Sequence, residues 1–150
     1  MTAADPTAAS ITAYIRDAFP GVDVVTVGGG TFFSLNPETH WPNFATLVTT
    51  DEFDDVSNLS RPGVFRLNLG VSRSTFQSMV GSQVNPDFTA LDRLVPHPVY
   101  ARQLWISVLN PSAETFERVV EPLLAEAHER LTRTRRGIPQ TVEAGSHAEG

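Results

Sequence analysis

From Asn110-Pro111-Ser112 to about Arg133 the chain repeats apolar residues at helical spacing: Phe116, Val119, Val120, Leu123, Leu124, Ala127 and Leu131. A helix with one such stripe holds in water only when the stripe is buried against another element. The sequence upstream supplies a surface for it. Val64 to Val71 alternates, with Phe65, Leu67, Leu69 and Val71 pointing one way and Val64, Arg66, Asn68 and Gly70 the other. That is the period of a strand with one apolar face. Pro122 inside the helical stripe lacks an N–H and crowds the preceding turn, which predicts a kink there.

The rest of the chain fits the same plan. Thr7 to Phe19 reads as a first helix with the stripe Ile11, Ile15, Ala18 and Phe19, Asp5 as its N-cap and Pro6 at the first helical position, ended by Pro20-Gly21. Val22 to Val27 and Thr31 to Leu35 flank Gly28-Gly29-Gly30 and read as a hairpin. The glycines make no phosphate loop, because Thr31-Phe32-Phe33 follows instead of Lys-Ser/Thr and a helix. Phe44 to Thr50 is a third strand and Leu104 to Leu109 another; Leu104, Ile106 and Val108 share one side, Trp105, Ser107 and Leu109 the other. Ser72 caps a short helix that stops at Gly81. Ser82 to Arg102 is irregular, with a helical turn expected near Ala90 to Leu94. Sequential strands joined by short turns pair antiparallel, so the expected fold is α+β. It has a mostly antiparallel sheet of about five strands with the N- and C-terminal helices packed on one face. Residues 1–136 form the single domain. The segment 137–150 is rich in Gly, Pro, Ser, Glu and Ala and is expected to be a disordered tail.

Charge and composition exclude several classes. With no cysteine the chain has no disulfide, thiolate nucleophile or cysteine zinc site. It has no apolar run long enough for a membrane span and no secretory signal at its start, so a cytoplasmic location is expected. The net charge of −6, with every cation an arginine, disfavours nucleic acid. Arg130, Arg133, Arg135 and Arg136 are read as charge complementing the last helix's C-terminus.

Three segments together carry a family resemblance: Tyr14-Ile15-Arg16-Asp17-Ala18-Phe19-Pro20-Gly21, Phe65-Arg66-Leu67-Asn68-Leu69-Gly70-Val71, and Pro96-His97-Pro98-Val99-Tyr100 leading to Trp105. From about Ser10 to Leu131 the chain resembles an uncharacterised bacterial family known only as a domain of unknown function. More distantly its layout is similar to MmcQ/YjbR-like proteins, with Pro-Gly after a first helix and a Trp-bearing strand before a closing helix. That resemblance implies a YjbR-like fold and a DNA-binding module as one reading of function.

The residues themselves point to a polar and aromatic site. Arg66 and Asn68 share a face of one strand, Trp105 and Ser107 a face of another, and His97 and Tyr100 sit on a proline-bent loop just upstream. If both faces lie on one side of the sheet, Arg66, Asn68, His97, Tyr100 and Trp105 form a ligand pocket on an open sheet face. In that pocket Arg66 is suited to a carboxylate or phosphate and His97 to proton exchange near neutrality. If the domain is an enzyme, His97 or Tyr100 moves the proton in an isomerase- or lyase-type reaction. The bland alternative is a solvated sheet face. The acidic run Asp51, Glu52, Asp54 and Asp55, with His40 nearby, reads as a solvated loop rather than a metal site. His128 and His147 are expected to be exposed. No cofactor or metal is implied. The expected partners are a small-molecule ligand or a second copy of the chain, paired through the sheet face or an edge strand.

Overall fold

The structure, a computed structural model, describes residues 4–137. The expected tail therefore lies outside the described residues, apart from Gly137, which closes the last helix. Helix α1 spans Ala8–Ala18, followed by strands β1 (Asp23–Val27), β2 (Gly30–Ser34), β3 (Asn43–Val48) and β4 (Arg66–Gly70). Helix α2 (Arg73–Met79), strands β5 (Leu94–Pro96) and β6 (Trp105–Leu109), and helices α3 (Ala113–Thr115) and α4 (Glu121–Gly137) complete the chain. The six strands form one antiparallel sheet in the order β1-β2-β3-β4-β6-β5. The fold is α+β, as the alternation and the two helical stripes require.

The core lies on the helical side of the sheet. Phe33, Ala45, Leu47, Leu67, Leu69, Ile106 and Val108 meet Ile11 and Ile15 of α1, Phe76 of α2 and Val120, Leu123, Leu124 and Ala127 on the closing helical run. Burying one such side chain is worth about 1.5–3 kcal/mol, which is what holds these amphipathic helices in place. Tyr14 meets Phe116 edge to face, and His128 stacks on Phe19 at 4.4 Å and meets the edge of Phe44. His128 is thus half-buried rather than exposed, and burial lowers its pKa.

Several local expectations change. The strand count is six because β5 forms within the stretch Ser82 to Arg102 that was read as irregular, and no helical turn forms at Ala90 to Leu94. It is only three residues long and ends in Pro96, which an edge strand tolerates because no donor is needed on its outer side. Asp5 does not cap α1: Thr7 does, in a reciprocal capping box with Ser10, and the Asp5 carboxylate accepts the Ala113 N–H instead. The irregularity expected at Pro122 takes the form of a change in helix type. Phe116–Val120 adopts a π-helical turn just before it, in which Glu121 N–H reaches back to Phe116 O, and the helix continues as α4 through Pro122.

The second face of the sheet is not open to water over β4 and β6. Two segments cover it: the connection 49–65 from β3 to β4 and the loop 97–104 from β5 to β6. Leu104, at φ +69°, turns that loop back into β6.

Candidate functional site

The register places the expected strand residues on one side of the sheet. Asn68 pairs with Thr46 on β3 and with Ser107 on β6; Arg66 pairs with Val48 and Leu109, and Gly70 with Trp105. Since adjacent partners share a face, Thr46, Arg66, Asn68, Trp105 and Ser107 line up opposite the helices.

A buried hydrogen-bond network ties these strands together. Asn68 Nδ2 donates to Thr46 Oγ1 at 3.0 Å, and Asn68 Oδ1 accepts from Ser107 Oγ at 2.7 Å and from Arg66 Nε at 3.0 Å. The Arg66 guanidinium, 2 % exposed, donates further to Ser57 Oγ and to both carboxylate oxygens of Asp54, at 3.1 and 2.7 Å. The bidentate carboxylate expected of a ligand is thus supplied by the chain itself. Hydrogen bonding from Arg66 holds the Asp54 carboxyl below the ordinary aspartate range, against the opposing effect of its partial burial. Neither Arg66 nor Asn68 is a solvated surface residue.

His97 folds over this network. Its Nδ1 accepts the backbone N–H groups of Val99 and Tyr100, both at 3.0 Å. Those two bonds fix the proton of the neutral ring on Nε2. Burial, reinforced by the nearby Arg66 charge and only partly opposed by Asp54, lowers the His97 pKa to about 3. His97 is therefore a neutral donor at physiological pH and does not exchange protons near neutrality as the sequence led us to expect. The ring of Tyr100 packs 5.0 Å from it.

Between these groups lies a cavity of about 160 Å³. Thr46, Arg66 and Asn68 form its floor, Asp54, His97 and Tyr100 its polar wall, and Phe32, Val48, Phe53 and Val99 its apolar wall. Four of the five expected residues meet there. Trp105 does not: it sits one pair further along the same face, against Gly70, where an added Cβ would lie 3.2 Å from its ring.

The members that sequence reasoning missed come from β2, β3 and the acidic run. Thr46 and Phe32 were legible in the strand alternation once β2 and β3 were paired, since Phe32 stands opposite Thr46. Asp54 and Ser57 were not, because the register of a long connection has no periodicity. The only available signal was that a buried Arg66 needs a counter-charge. The acidic run is consequently not just solvated: Asp51 accepts the Leu59 N–H and Asp54 pairs with Arg66. His40 binds Asp23 at 2.8 Å instead. Among the described residues no group of three or more His, Cys, Asp or Glu side chains is placed to hold a metal ion.

A larger groove, about 900 Å³, runs between the start of α1 and residues 49–52 and 59–65. Two of its polar side chains are engaged within the chain: Arg61 donates to the carbonyls of Ser57, Asn58 and Thr89, and Asn110 bonds Phe65 N–H and Gly63 O.

A family of unknown function, DUF6194, matches residues 6–137. The chain belongs to that family. The DUF6194 match covers the whole sheet, both covering segments and all five expected site residues. No curated protein and no solved structure matches the chain. Among the described residues of this DUF6194 chain, no helix is long and apolar enough to cross a membrane.

Proposed function

We propose that the domain binds a small, neutral, acceptor-bearing molecule, a carbonyl compound or heteroaromatic ring, in the cavity between Phe32, Phe53, His97 and Tyr100. One observation carries this reading: three cavity-lining residues hold donors with no acceptor among the described residues. They are His97 Nε2–H, whose partner nitrogen is committed to the backbone, the Tyr100 phenol, and Thr46 Oγ1, which accepts from Asn68 and keeps its own proton to give. Converging unspent donors beside aromatic walls are what orient a ligand in an otherwise apolar site.

Charge and size narrow the class. The fixed charges at the cavity, Arg66 and Asp54, cancel, so an anion meets Asp54 and a cation meets Arg66. A space of about 160 Å³ suits a single ring, since an engineered cavity of roughly 150 Å³ admits benzene. Binding is favoured over acid–base catalysis because His97, the best candidate base, is held neutral with one nitrogen engaged. The nucleic-acid reading rests on the MmcQ/YjbR resemblance alone; the one arginine on this sheet face is buried and paired.

The test is a thermal-shift screen of neutral heteroaromatic and carbonyl fragments against the parent, Val99→Trp and Tyr100→Phe. Val99 lines the cavity and is half-exposed, so a tryptophan there fills the space from the rim. A ligand at about 100 times its Kd stabilises the fold by about 2.7 kcal/mol. Shifts that vanish in Val99→Trp and shrink in Tyr100→Phe support the site. Shifts that ignore both substitutions sink it.

A further inference from the structure

Among the described residues the sheet has two edges that carry no further strand, and they differ in how they are protected. β5 is three residues long and ends in Pro96. β1 has five residues, Asp23–Val27, without proline, lysine, arginine or bulge, and its one charge, Asp23, is engaged by Ser34 and His40. Long, uncharged, β-branched edges are the ones that recruit another strand.

The register shows which groups are on offer. Val27 pairs with Gly30 across the two-residue turn Gly28-Gly29, and in such a hairpin the closing pair exchanges both hydrogen bonds. Val25 and Asp23 therefore also face β2, while Val24 and Thr26 aim their N–H and C=O groups outward. Neither has a backbone partner beyond the sheet among the described residues. Beside this edge lies apolar surface. Val27 is 62 % exposed, and Phe53, 50 % exposed, lies over Gly30, the residue paired with Val27.

We propose that β1 pairs antiparallel with β1 of a second copy about a two-fold axis at Val25, joining the two six-stranded sheets into one. The register selects this partner. With Val25 opposite its own counterpart, Val24 falls opposite Thr26 of the other chain on both sides of the axis. Every outward N–H and C=O of the two residues is then used. The same register sets each Asp23 beside the partner's Val27, so the two carboxylates stay at opposite ends. A second copy matches the spacing of these outward groups by symmetry and brings its own exposed Val27 and Phe53 to the joined edge.

The chain lacks cysteine, which makes a clean cross-linking test possible. Val25→Cys places one thiol per chain at the axis. Val25 there forms a pair without mutual hydrogen bonds, whose Cα atoms lie about 4.5 Å apart, within disulfide range. In a glutathione buffer Val25→Cys should yield a covalent dimer of twice 16.4 kDa, and Val27→Cys, which faces Asp23 of the other chain, about tenfold more slowly. Thr26→Pro removes an outward donor without touching the β1–β2 ladder, and should abolish both the parent's dimer in light scattering and the cross-link in the Val25→Cys background. Thr26→Ala controls for loss of the 3.2 Å Thr26–Thr31 hydroxyl contact and should leave both intact. The proposal is overturned if the parent stays monomeric at the highest soluble concentration. It is equally overturned if the two cysteine variants cross-link at equal rates, or if the dimer survives in folded Thr26→Pro. Should Thr26→Pro fail to fold, the ratio of the two cross-linking rates decides alone.

Discussion

Asp54 grips Arg66 through both carboxylate oxygens, although it belongs to an irregular connection while Arg66 belongs to a central strand. The pair does more than neutralise charge. It fastens residues 49–65 over the sheet and so makes the wall of the cavity. Arg66 has five donors, and four are committed: two to Asp54, one to Ser57 and one to Asn68. Truncating either partner leaves a buried ion with too few partners, which typically costs about 3–5 kcal/mol. Arg66→Ala and Asp54→Ala should each lose stability of that order in urea unfolding at pH 7. The double variant should lose less than the sum of the two. Additive losses would mean that the pair does not act as a unit.

The His97 environment predicts a pH dependence with a definite sign. An unfolded histidine titrates near 6.5, and the folded one near 3. Between those values the unfolded chain holds a proton that the native chain does not, so stability rises with pH there. The contribution is complete above about pH 6.5 and is lost progressively as the pH falls toward 3. From pH 7 to pH 5 the loss is on the order of 2 kcal/mol at about 1.36 kcal/mol per pH unit. Denaturant unfolding of the parent at these two pH values, set beside His97→Gln, checks it. The variant should lose clearly less over this interval, what remains coming from the half-buried His128, whose pKa burial also lowers.

The imidazole tautomer is testable on its own. Two backbone N–H groups at 3.0 Å on Nδ1 require the proton on Nε2. Ring nitrogen shifts in a histidine-labelled sample should show that tautomer for His97 from pH 7 to pH 5, with no titration. A cationic ring at pH 5 would contradict the site as described here.

The sequence was most informative where periodicity operates. The alternation in Val64–Val71 assigned Leu67 and Leu69 to the core and Arg66 and Asn68 to the far face, as found. The glycine hairpin, the Ser72 cap and the closing helical stripe were equally legible, because each rests on local chemistry. The three-residue β5 was not: it is too short for periodicity, and its Pro96 argues against a strand unless the edge is already known. The far face was read as open or wet because coverage by residues 49–65 and 97–104 depends on long-range contacts alone. Asp54 shows this most clearly. An acidic run looks solvated until one knows that a buried arginine lies beneath it.

Trp105 supplies the last prediction. It shares the site's face but packs on Gly70, its cross-strand partner, and a Cβ added at Gly70 would meet its ring at 3.2 and 3.3 Å. Backbone geometry does not demand glycine here, since its φ lies outside the left-handed region; the ring does. Gly70→Ala must push the 3 %-exposed indole by a few tenths of an ångström, and overpacking of this kind typically costs about 1–3 kcal/mol. We expect a lower Tm together with a red-shifted tryptophan emission as the ring moves toward water. Trp105→Phe in the Gly70→Ala background should recover part of the stability, because the smaller ring leaves room for the methyl group. The cavity lies further along the face and is not walled by Trp105, so ligand shifts should persist in Gly70→Ala. Loss of the stability cost with unchanged emission would show instead that the indole already has space to yield.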